Sequence, residues 1–187
     1  MPARPETPAV RHLDFGLLVT FAGPMAEQCL WDGSDLMARA AIHEAAHCVM
    51  AWRLGHAIAA VEIRSDGSGS AITGPMSVGT AEAVALYRPE VASSRRELSD
   101  GRRAVASAYL LRWPDRRAAH ELLRVRRHEA RLRVRADAPL IEAVAGELLT
   151  RGSLTGCQVE HVICETLRAR WARRLEPKKE NENAVYE

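Results

Sequence analysis

The chain of 187 residues contains few aromatic residues, and its charges nearly cancel. Phe, Trp and Tyr make up 5% of the sequence, and the formal net charge is +2. Nucleic-acid-binding surfaces usually combine stacking aromatics with a strong positive charge. The composition therefore argues against nucleic acid as the main partner. With 47% hydrophobic and 27% charged residues, the chain is instead typical of a globular domain with its own core.

The sequence also lacks paired cysteines and long apolar runs. Its four cysteines form no CxxC pair, which argues against a zinc ribbon and favours reduced thiols; Cys48 is expected to be a packed thiol. The best apolar run, residues 15–25, is far shorter than the about 20 residues of a membrane-spanning helix. The first residues show no secretory-signal pattern. We therefore expect a cytoplasmic protein without a transmembrane segment.

The most informative motif is the HExxH pattern at residues 43–47. Residues four apart lie on one face of a helix, so His43 and His47 can reach the same metal ion. Glu44 is rotated by about 100° and can act on a water bound to that metal. The pattern predicts zinc as the cofactor, with Glu44 as the catalytic base.

The surrounding sequence predicts a mainly α fold with one small β-hairpin. Residues 1–12 suggest a disordered leader, 13–35 a helical segment broken or started near Gly23-Pro24, 36–175 the main domain, and 176–187 a disordered tail. Within the main domain, a helix ends near Gly55, and residues 57–64 and 70–73 alternate as strands. Further helices are expected near 80–96, 99–112, 115–135, 138–151 and 155–175.

Two segments of the chain resemble each other at an offset of 65 residues. Residues 19–27 precede Ser34-Asp35, and residues 84–92 precede Ser99-Asp100, with the same proline-to-aspartate spacing in both copies. The segment 13–35 is therefore a possible relic of a duplication.

Three stretches together resemble the FtsH-type zinc peptidase family. They are the HExxH helix at 39–52, the hairpin at 61–74 and a helix–turn–helix at 148–159. The resemblance implies a zincin-like fold and hydrolysis of peptides or unfolded proteins. In that family the third zinc ligand is an aspartate at a helix start, often after Ser or Asn, a place that Asp100 occupies here.

The chain departs from that family in three ways. Ala46 replaces a glycine, and the Ala-Gly-Pro-x-Ala-Glu signature lies at residues 22–27, before the zinc helix instead of after it. The chain contains no GxxxxGK[ST] phosphate loop, so it resembles a stand-alone, ATP-independent domain.

The choice of third ligand is a choice between several carboxylates. Asp35 has the better flanking motif, but on one helix it would lie about 12 Å along the axis from His43, too far for a shared metal ion. Asp100 comes from another helix and is preferred. Glu82, Glu90 and Glu97 remain alternatives.

The predicted function is therefore zinc-dependent endopeptidase activity, in which the strand near residues 59–64 binds substrate backbone as an added strand. A catalytically inactive domain with a regulatory or structural role is the first alternative. The second is a basic helical module for nucleic acid or an acidic partner, based on the arginine-rich segment 102–135. The sequence leaves the oligomeric state open.

Overall fold

The computed structural model describes residues 8–75, 100–112 and 114–175. The described part is mostly helical with a small antiparallel sheet, which confirms the predicted class. Its first half contains α1 (Pro8–Leu30), α2 (Leu36–Arg53), β1 (His56–Ile63) and β2 (Gly69–Pro75). Its second half contains α3 (Asp100–Arg112), α4 (Arg116–Ala136), α5 (Ala138–Arg151), β3 (Ser153–Thr155) and α6 (Gly156–Leu175). The helix expected at 80–96 and the tail at 176–187 lie outside the described residues.

Helix α1 is longer than the sequence suggested. It begins at Pro8, inside the expected leader, and it continues through Gly23 and Pro24 without a break. Pro24 has no N–H for the carbonyl of Thr20, so one helical hydrogen bond is missing at this point. Packing of α1 against its neighbours outweighs the helix-breaking tendency of these two residues.

Helix α2 lies at the centre of the fold. Asp35 caps its N-terminus, where the carboxylate accepts bonds from the backbone N–H groups of Met37 at 2.8 Å and Ala38 at 3.4 Å. Along α2 the small side chains of Ala41 and Ala45 are fully buried. Small residues let neighbouring helices approach closely, which places the HExxH stretch in the interior of the molecule.

The sheet has the order β2-β1-β3, so β1 is its middle strand. Residues 153–155, expected in a turn, form β3 and pair with Ala60–Glu62 of β1. The other side of β1 pairs with β2. The expectation that the strand near residues 59–64 accepts a substrate strand is therefore wrong, because both of its edges carry a partner. Within the described residues, the outer edge of β2 has no partner strand.

Two buried clusters of apolar side chains meet at α1. The larger one joins Leu18 and Met25 of α1 to α2, the sheet, α4, α5 and α6. The smaller one joins α1 to α3 and α4, through Leu17, Ala104, Ala108, Ala119 and Leu122. Helix α1 therefore belongs to the folded core. No helix within the described residues is long and apolar enough to cross a membrane.

Candidate metal centre

Three side chains from two helices converge beside α1. The Nε2 atoms of His43 and His47 lie 3.0 Å apart. Oδ2 of Asp100, in the first turn of α3, lies 2.9 Å from Nε2 of His43 and 3.2 Å from Nε2 of His47. Two nitrogens of a tetrahedral zinc site are roughly 3.3 Å apart. The three spacings are slightly shorter than the edges of such a tetrahedron, and the group is close enough to hold one metal ion.

Helix α1 orients the ring of His43. Nδ1 of His43 donates to Oε1 of Glu27 at 2.6 Å, and the other carboxylate oxygen of Glu27 accepts from Arg39 of α2. A carboxylate behind a histidine fixes the ring and makes its other nitrogen a better ligand. Glu27 is therefore built into the site as a partner of His43.

His47 is oriented by the backbone of the same helix. Its Nδ1 donates to the carbonyl oxygen of Val19 at 2.7 Å. This carbonyl lies one residue before that of Thr20, which Pro24 leaves without a helical donor. The ring is only 11% exposed, so its orientation is well constrained.

The hydrogen bonds at Nδ1 of His43 and His47 determine which ring nitrogen of each histidine faces the metal position. Since Val19 and Glu27 offer only acceptors, each imidazole carries its proton on Nδ1 and directs a lone pair from Nε2. Two lone pairs and the carboxylate of Asp100 then face one another at about 3 Å. Such an arrangement becomes attractive only with a cation between the atoms, either a metal ion or a proton.

The pKa shifts agree with a site that attracts cations. Burial lowers the pKa of His43, but the protonated ring can donate from Nε2 to Asp100, and this bond, the charge of Glu44 and the bond to Glu27 outweigh burial, so the pKa is raised. Burial raises the pKa of Asp100, but its bonds to His43 and His47 outweigh that effect and hold it well below its usual range. Asp100 is therefore an ionised carboxylate, as a metal ligand must be.

Gly23 leaves space at the position where a metal would be held. A Cβ at residue 23 would lie 2.4 Å from Nε2 of His43 and 2.6 Å from Nε2 of His47. Metal–nitrogen bonds in zinc sites are about 2.0–2.1 Å long. The donor set and the space beside it therefore fit a zinc ion, and any side chain at residue 23 would occupy part of that space.

Glu44 lies in a cleft beside these ligands. The cleft has a volume of about 340 Å³, and both His43 and Glu44 line it together with Gly67 and Gly69 of the β1–β2 hairpin. Glu44 is only 8% exposed. A Cβ at residue 69 would lie 2.6 Å from Cγ of Glu44, so Gly69 makes room for this side chain.

The structure distinguishes between the carboxylates that the sequence offered as the third ligand. Asp100 reaches the histidines, whereas the carboxylate of Asp35 caps α2; Glu82, Glu90 and Glu97 lie outside the described residues.

Cys48 is fully buried, as expected for a packed thiol, and burial together with the charge of Glu44 raises its pKa.

Sequence reasoning missed the contributions of Val19, Gly23 and Glu27. A signal was present, because Gly23 and Glu27 lie four residues apart and therefore share a helix face. The Ala-Gly-Pro-x-Ala-Glu signature contains both, but it lies before the HExxH helix instead of after it.

Comparison with protein-family models, curated proteins and solved structures finds no match to this chain.

Proposed function

We propose that the protein is a zinc-dependent endopeptidase that needs no ATP and acts on peptides or unfolded chains. The observation that carries this proposal is the convergence of two histidine nitrogens and one carboxylate oxygen beside a buried glutamate. Two His and one Asp leave a fourth position on a tetrahedral zinc, which is the arrangement of a catalytic site. The FtsH-type resemblance of the HExxH helix supports the same class.

The residues of the cleft have distinct roles in peptide hydrolysis. When bound, zinc supplies a water of lowered pKa and polarises the substrate carbonyl. Glu44 accepts the proton of that water and passes it to the leaving amine. His43 and His47 are held in place by Glu27 and by the carbonyl of Val19, so the ligand geometry is set before substrate arrives.

Strand β2 is the proposed binding edge for the substrate backbone. It begins at Gly69, where a Cβ would meet the side chain of Glu44, and its outer edge has no partner strand within the described residues. An extended peptide that pairs with this edge would run past the catalytic glutamate. Because backbone pairing dominates such binding, the enzyme would tolerate many side chains.

The test compares two glutamate variants of the zinc-loaded protein. Glu44→Gln should retain zinc and lower peptide hydrolysis by about 100-fold or more, since general base catalysis contributes that much. Glu142→Gln, at an exposed position of α5, should change neither quantity. Hydrolysis that is equal in Glu44→Gln and the parent would contradict the mechanism. Zinc binding without hydrolysis in the parent would favour the inactive domain with a regulatory or structural role.

A further inference from the structure

A second and larger cavity lies between α1, α3 and α4. Its volume is about 560 Å³, which is within the range of roughly 300–1,000 Å³ for ligand pockets. Apolar side chains from each of the three helices form its walls, namely Phe21, Val105 and Leu123. Three arginines of α4 line it as well: Arg124, Arg127 and Arg131. The cavity combines apolar walls with a concentrated positive charge.

The positive charge of these arginines is only partly neutralised. Arg124 bonds to Glu121, but both side chains are exposed, and such pairs are weak and exchangeable. Arg131 donates to the neutral side chain of Gln28 at 3.2 Å. Arg127 makes no ion pair or hydrogen bond within the described part of the chain. The cavity is therefore suited to an anionic ligand.

The cavity begins next to the metal centre. Gly101, which lines it, directly follows Asp100 in the first turn of α3. Neighbouring Cα atoms are about 3.8 Å apart, so a ligand at Gly101 lies close to the residue that reaches the histidines. The N-terminal end of α3 adds a positive dipole at the same point. The cavity and the candidate metal centre therefore share the first turn of α3.

We propose that this cavity binds a carboxylate of the peptide substrate, so that the enzyme prefers peptides that present a carboxylate at this position. The proposal rests on the proposed function. The carboxylate can belong to an acidic side chain or to the C-terminus of the peptide, since both offer the same planar group to an arginine.

A peptide fits the cavity better than a nucleic acid does. The ring side chains in its walls are Phe21 and His128, which are fewer than the successive aromatic side chains on which bases stack in single-strand binding grooves. Arg126 and Arg133, elsewhere on α4, share Glu129, which neutralises part of their charge.

The experiment measures the binding of short fluorescent peptides to the full chain, first after metal removal by a chelator and then after zinc loading. One peptide carries an internal Glu and an amidated C-terminus, the second is neutral with a free C-terminus, and the third is neutral and amidated. We expect at least one of the first two to bind about tenfold more tightly than the third, because Arg–carboxylate pairs in a cavity are strong. The tighter of the two identifies the source of the carboxylate. Equal binding of all three peptides would overturn the proposal.

Two arginine variants provide the matched comparison. Arg127→Glu reverses a charge in the cavity, and its new carboxylate can pair with Arg124 and Arg131 at helical spacing, so the helix should remain folded. This variant should abolish the preference for carboxylate peptides. Arg117→Glu reverses an exposed charge on the same helix outside the cavity and should preserve the preference. An equal loss in both variants would contradict a specific site.

Two further outcomes distinguish a carboxylate-binding cavity from a nucleic-acid surface, and failure of this proposal from failure of the proposed function. A single-stranded oligonucleotide that binds more tightly than every peptide, with equal sensitivity to both variants, would overturn the proposal in favour of a nucleic-acid surface. A carboxylate preference in the metal-free protein, without peptide hydrolysis after zinc loading, would support the cavity and contradict the proposed function.

Discussion

Asp35 and Asp100 belong to segments of similar sequence, yet their side chains act differently. Each follows a serine and lies at the start of a helix. The carboxylate of Asp35 bonds to the backbone of its own helix, whereas that of Asp100 reaches His43 and His47 on another helix. The two places share the Ser-Asp pair and its distance from a preceding proline. The difference comes from tertiary packing, since α3 lies against α1 and directs Asp100 toward α2.

The metal centre draws on both segments. Gly23 and Glu27 come from the first segment, and Asp100 comes from the second. The first segment retains the complete Ala-Gly-Pro-x-Ala-Glu signature, although its own aspartate serves as a helix cap. A duplicated origin of the two segments stays a prediction, since residues 84–92 lie outside the described part of the chain.

The largest effect is expected from Asp100→Ala. It removes one of three ligands, so zinc affinity should fall by more than the about 10–100-fold that loss of an outer partner costs. Isothermal titration with zinc measures this loss. The matched variant Asp35→Ala should bind zinc like the parent protein. A comparable loss of zinc in both variants would erase the distinction between the two aspartates.

Gly23→Ala should weaken zinc binding nearly as much as Asp100→Ala does. The added Cβ would lie 2.4 Å from Nε2 of His43, inside the space where a metal would be held. Gly16→Ala on the same helix meets no atom within 4 Å and should raise helix stability by about 0.5–1 kcal/mol. Zinc titration and thermal unfolding of both variants test this pair. Normal zinc affinity in Gly23→Ala would show that the metal lies elsewhere.

Glu27→Gln should reduce zinc affinity by about 10–100-fold, as loss of a carboxylate behind a ligating histidine does. The amide can still accept a bond from Nδ1 of His43, so the fold should be preserved. Arg39→Ala, which removes the other partner of Glu27, should have a smaller effect because Arg39 is half exposed. A larger loss in Arg39→Ala than in Glu27→Gln would reverse the assigned roles.

The smallest effect concerns stability. Asp35→Ala should lower the free energy of unfolding by about 1 kcal/mol, the typical contribution of an N-cap. Asp115 caps α4 in the same way, and Asp115→Ala should cost a similar amount. Urea denaturation of the metal-free variants measures both values. An unchanged stability in Asp35→Ala would contradict its role as a cap.

The sequence predicted the features that depend on local chemistry. Pro139 in the first turn and Gly152 in a left-handed conformation bound α5 at residues 138 and 151, as expected. For α2 the sequence places the N-cap at Gly33-Ser34 and Asp35 as a negative charge at the helix start, whereas in the structure Asp35 is itself the N-cap.

Features that depend on contacts between distant residues were missed. Strand β3 exists because residues 153–155 pair with β1, about ninety residues earlier. The bonds from His43 to Glu27 and from His47 to Val19 depend on the packing of α1 against α2. No periodicity within either helix predicts that packing, so these two bonds could not be predicted from the sequence.

Anomalous diffraction at the zinc absorption edge, on crystals of the zinc-loaded protein, tests the central claim most directly. One anomalous peak should lie about 2.0–2.2 Å from Nε2 of His43, Nε2 of His47 and a carboxylate oxygen of Asp100. A peak away from these three atoms, or no peak in zinc-saturated protein, would contradict the assignment.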